Sequence, residues 1–88
     1  MAITFSGIDS KIMQMCGAII SQMGYDLQRV TYEPEDDSMA LTLYISKDGG
    51  ITLDDCERVS LAVDPIIEAS GVMDSEQNWT LNVSSPGV

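Results

Sequence analysis

Between Ile45 and Cys56 the hydrophobic period of this chain changes from two residues to about 3.6, and the stretch that makes the change, Lys47-Asp-Gly-Gly-Ile-Thr-Leu-Asp-Asp-Cys-Glu-Arg58, restricts the fold more than any other. An alternating apolar run precedes it. Gly49 and Gly50 supply the backbone freedom of a tight turn, and Thr52 followed three residues later by Asp55 has the spacing of a capping box. The segment reads as strand, turn and capped helix. Asp54, Asp55 and Glu57 fall near the positive end of the helix dipole, and a cap of this type contributes about 1 kcal/mol.

The remaining elements follow from periodicity. Ile8, Ile12, Met15, Cys16, Ile19 and Met23 recur at steps of three and four, which predicts an amphipathic helix, with Ser6 or Asp9 near its start and Gly24 ending it. Tyr25 to Glu33 is rich in β-branched and aromatic residues, but Leu27, Val30 and Tyr32 do not share one face of a regular strand. A bulge or strong twist is expected there. Residues 34–38 read as a hairpin loop, and Met39 to Ser46 returns with Leu41, Leu43 and Ile45 on one side. From Thr52 a helical stripe of Leu53, Cys56, Val59, Val63, Ile66 and Ile67 runs to Gly71. Pro65 predicts a kink near Leu61, or a restart capped by Asp64. Trp79, Leu81 and Val83 alternate as a third strand, and Ser84-Ser-Pro-Gly leaves it because proline cannot donate to a ladder.

The order is therefore α-β-β-α-β. Each helix has one apolar stripe and the sheet needs one face covered, so the expected fold is a two-layer α+β domain, a three-stranded sheet with both helices on one face. A fully antiparallel sheet of order 2-1-3 is preferred to 1-2-3.

The 88 residues allow a single domain with one small core, which disfavours a large enzymatic cleft. Four basic residues against fourteen acidic ones give a net charge of −10, and without a basic cluster direct binding to bare RNA is disfavoured. A field of that sign steers a basic protein surface toward the molecule, or serves only solubility. There is no histidine, and Cys16 and Cys56 lie on different expected helices with no CxxC spacing, so they read as small buried hydrophobes and no metal site is expected. No nucleophile motif or phosphate-binding loop is present, the Asp54–Asp55 pair is explained by capping, and an enzyme is not expected. The acids at 33–37 lack calcium-loop spacing and read as a solvated loop. No secretory signal and no transmembrane-length run is visible, which makes the cytoplasm the default location.

Two phrases carry a family resemblance: Gly49-Gly-Ile-Thr-Leu-Asp-Asp-Cys-Glu-Arg-Val-Ser60 and, one helix length downstream, Leu81-Asn-Val-Ser-Ser-Pro-Gly87. In this order and spacing they resemble the N-terminal domain of the RimP family of bacterial ribosome maturation factors, over most of the chain from Gly24 onward. Asn82 and Trp79 depart from the family pattern, where an acid and a tyrosine are common. The resemblance implies a non-catalytic assembly factor, without a cofactor, that associates with the immature small (30S) ribosomal subunit. It also implies that a C-terminal β-barrel domain would follow Val88, so that residues 1–88 correspond to an isolated N-terminal domain.

Carried onto this chain, the matched positions are Gly49, Gly50, Ile51, Thr52, Asp54, Asp55, Cys56, Ser84, Ser85, Pro86 and Gly87. The glycines are read as conformational, Ile51 and Cys56 as packing residues, and Ser84 to Gly87 as setting the orientation of the following domain. Asp54, Asp55 and Glu57 are the candidates for contacting a basic ribosomal protein. The competing reading is an acyl-carrier-like protein modified at Ser38, since Asp37-Ser38 resembles that family's attachment site, but Ser38 precedes a strand-like run where a carrier protein has a helix. A KH-type RNA-binding domain would need a basic GXXG loop, which is lacking.

Overall fold

The computed structural model describes residues 7–74, 76 and 78–85. Helix α1 spans Ile8–Gln22, strands β1 and β2 span Asp26–Glu35 and Ser38–Ser46, helix α2 spans Leu53–Ser70, and strand β3 spans Trp79–Ser84. The α-β-β-α-β order is as expected. Ile12, Cys16 and Ile20 of α1, Val59, Val63 and Ile67 of α2, and Leu41, Leu43 and Ile45 of β2 are all fully buried in one cluster. Both helices thus cover the same side of the sheet, and the central strand supplies the middle of the core.

Helix α1 ends where Gly24, at φ 97°, turns the chain back so that the Tyr25 amide donates to the Ile20 carbonyl at 3.1 Å. Among the described residues, no side chain caps its start. Asp9 instead accepts from the Ser10 amide at 2.8 Å, and Ser6 lies outside the described residues. The expected irregularity in β1 is present as a register shift between Leu27 and Arg29, which brings Leu27, Val30 and Tyr32 opposite the buried residues of β2. The hairpin is tighter than a five-residue loop. Glu35 pairs with Ser38, and only Asp36, at φ 56°, and Asp37 form the turn. Pro34 is accommodated inside β1 because that strand is an edge, where an absent N–H need leave no ladder bond unmade.

The strand order corrects the sequence-based expectation. The sheet is β1-β2-β3, with β1 and β2 antiparallel and β3 parallel to β2, Trp79 opposite Met39 and Val83 opposite Leu43. Helix α2 has 18 residues, about 27 Å of rise, enough to return the chain along the whole length of β2. Because α1 enters β1 through the tight turn at Gly24, it packs over the β1 side of the sheet. Placing β3 beyond β1 would carry the α2 connection across α1, whereas beside β2 it forms an adjacent βαβ unit with α2 packed against β3.

Pro65 stands inside α2 rather than at the start of a new helix capped by Asp64. The carbonyl that proline leaves without a donor belongs to Leu61, on the solvent side, whose side chain is 69% exposed, so water can satisfy it. Among the described residues, the opposite face of the sheet carries no helix. It bears Arg29, Thr31, Thr42, Tyr44 and Asn82, with the Arg29 guanidinium 4.8 Å from the centre of the Tyr44 ring.

Candidate functional site

The turn into α2 is built as its residues dictate. Gly49 and Gly50 take φ 87° and 94°, values that side-chain-bearing residues rarely adopt, and the Gly50 amide donates to the Lys47 carbonyl at 3.1 Å. Neither glycine is crowded, so the backbone angle alone requires them. Thr52 then caps the helix. Its Oγ1 accepts from the Asp55 amide at 3.1 Å, while Asp55 Oδ2 accepts from the Thr52 amide at 2.9 Å, the reciprocal pair of a capping box.

Asp55 does more than cap. Its side chain is buried, and Oδ1 accepts from the Tyr25 hydroxyl at 2.6 Å and from Lys47 Nζ at 3.3 Å. Lys47 Nζ lies 3.2 Å from Oδ2, and Arg58 Nη1 lies 3.6 Å from Oδ1 and donates to the Tyr25 oxygen at 3.2 Å. Lys47 also sits 5.4 Å from the centre of the Tyr25 ring. The hydrogen bond from Tyr25, followed by the Thr52 amide, holds the Asp55 carboxyl well below the usual carboxylate range, against the opposing effect of burial. The same bond pushes the Tyr25 hydroxyl up. A carboxylate with both oxygens engaged in this way is a permanent anion at neutral pH that ties the α1–β1 turn, the β2–α2 turn and α2 together.

That arrangement separates the three acids read from the sequence. Asp54 and Glu57 are exposed at the start of α2, whereas Asp55 is turned inward with both carboxylate oxygens in internal bonds. Spacing along the chain reveals the Arg58 contact, at i+3 from Asp55. It does not reveal Tyr25 or Lys47, which reach Asp55 from other elements.

The two family phrases meet in space. Ile51, Thr52, Leu53 and Cys56 from the first and Val83, Ser84 and Ser85 from the second line one shallow depression. Ile51 is half-buried against the core, as expected of a packing residue. Cys56 is also half-buried, its thiol pushed up by burial and then by the charge of Asp55, while Cys16 is buried in the core. Leu53 is 88% exposed and does not join the core face assigned to it from the sequence. Pro86 and Gly87 lie outside the described residues. Ser38 opens β2 behind a hairpin turn, its hydroxyl donating to the Glu35 carbonyl at 3.5 Å, and not a helix as the acyl-carrier reading requires. Among the described residues, no group of three His, Cys, Asp or Glu side chains is placed to hold a metal ion. No helix among them is long and apolar enough to cross a membrane.

The described residues thus form a small acidic α+β domain whose buried carboxylate, Asp55, is satisfied internally, with exposed carboxylates around it. The family model described as the RimP N-terminal domain matches residues 15–88, most of the chain. The chain belongs to that family, and its role is accordingly in ribosome maturation.

Proposed function

We propose that this domain docks on the immature small (30S) ribosomal subunit through the exposed carboxylates at the start of α2 and assists maturation without catalysing a reaction. Asp54 and Glu57 are the contacting residues, and a basic ribosomal protein is the partner. The observation that carries this reading is the division of labour at the α2 N-terminus. Asp55 immobilises the turn through Tyr25, Lys47 and Thr52, while Asp54 and Glu57 stay exposed on the element so fixed. The charge balance supports it: of four basic residues, Lys47 and Arg58 are drawn to Asp55 and Arg29 covers Tyr44. Such a surface attracts a basic protein and repels bare rRNA. On this reading Ser84 and Ser85, packed beside the same turn, set the direction in which the chain leaves the sheet toward a following domain. The place of action is the cytoplasm, where subunits assemble.

Co-sedimentation with purified small subunits, large subunits and naked rRNA over a range of salt tests the proposal. Binding confined to the small subunit and weakening with salt is the expected result. Asp54→Lys combined with Glu57→Lys should reduce it about tenfold or more, since like charges across an interface cost several kcal/mol. Unchanged binding in that double variant would overturn the assignment of the contact.

A further inference from the structure

Two adjoining shallow depressions, of about 270 and 470 Å³, lie toward the C-terminal half of α2, where it packs against β3. Trp79 and Glu68 line both. Trp79 is the only tryptophan in the chain and is half-buried against the core, so its ring is held in place rather than swinging in solvent. Asp64 and Glu68 stand on the α2 rim and Asp74 on the turn that follows. Neither depression is lined by a Lys or Arg. Glu76 lies at the edge but is engaged, accepting from the Tyr32 hydroxyl at 2.6 Å.

Asp64 and Glu68 are an i,i+4 pair of like charge, an arrangement that is unfavourable on a helix surface unless a cation lies between them. Leu61, three residues before Asp64 on the same solvent-facing stripe, is 69% exposed. An aromatic ring, carboxylates without a cation beside them and an exposed leucine suit one kind of occupant. The planar guanidinium of arginine stacks on an indole and forks to a carboxylate, while the methylene stem of a long basic side chain covers apolar surface. We propose that the α2–β3 cleft around Trp79 is a second docking site, distinct from the α2 N-terminus, which takes an arginine-rich segment of a basic protein. The acids are spread along the cleft rather than gathered, and the described residues offer no metal-holding cluster, which fits a polycationic chain.

Trp79 is a built-in reporter. Titration of the whole chain with nona-arginine, followed by tryptophan emission, should give a saturable change that weakens as salt is raised. Two double variants that remove the same charge discriminate the site from a general field effect. Asp64→Asn with Glu68→Gln should weaken binding about fivefold or more, and Asp26→Asn with Asp48→Asn, at the opposite end of the sheet from Trp79, by less than about twofold. All four residues are exposed, and circular dichroism verifies that both variants fold. Equal weakening in the two variants, or no saturable change in emission, would overturn the proposal. Because the readout uses no ribosome, it can fail while small-subunit docking stands, and the reverse.

Discussion

Asp55 is the residue on which the α2 start depends, because it is the cap's reciprocal partner and also the acceptor for Tyr25 and Lys47. Thr52→Ala removes one half of the cap and should cost about 1 kcal/mol in denaturant unfolding. Asp55→Ala should cost more, since it also strips the Tyr25 hydroxyl and two cations of their acceptor. The pH dependence has a definite sign. The folded carboxyl lies well below its ordinary value of 3.8, so its contribution is fully present above that value. It is lost as the pH falls through the lower folded value, because the unfolded chain takes the proton first. Thermal melts on the acid side should therefore show a decline in stability that is shallower in Asp55→Asn. Of the residues in this cluster, Thr52 and Asp55 are legible from their spacing. Tyr25 and Lys47 are not, since each lies on a different element and meets the carboxylate only after the sheet has formed.

At the scale of elements, α2 carries most of the argument. Its apolar stripe, its cap and its left-handed end at Gly71, with φ 75°, are all visible as local patterns. Its continuity through Pro65 is not, because the same proline is compatible with a restart or with a passage inside one helix, and burial of Val63 and Ile67 on either side favours the second. Since Pro65 is exposed and lies inside a continuous helix, Pro65→Ala restores a backbone donor for Leu61 without disturbing packing. It should stabilise the domain by about 1 to 3 kcal/mol, read as a higher denaturant midpoint at unchanged slope. The strands show the same division. The alternation of β2 and the irregularity in β1 are inscribed in the order of side chains, whereas the parallel pairing of β3 with β2 depends on which side of the sheet α1 already occupies.

For the molecule as a whole, the net charge of −10 on 88 residues opposes compaction, and among the described residues only the Asp55 charge is shielded from solvent by burial. Raising salt to physiological strength shortens the screening length to about 8 Å, which relieves repulsion among the exposed acids more than it weakens the pairs at Asp55. The melting temperature should thus rise with sodium chloride, and a fall would mean that the surface ion pairs outweigh the repulsion. The sequence alone determined the five elements, the cap and turn at Gly49 to Asp55, most of the buried face of each element, the two-layer α+β class and the family. All of these are written in backbone preference and in periodicity over a few neighbouring residues. Only the tertiary structure decided the strand order, the inward turn of Asp55, the course of α2 through Pro65 and the cleft at Trp79. Each of these depends on which distant segments compete for the same space and the same hydrogen-bond acceptors, and that competition has no local signature.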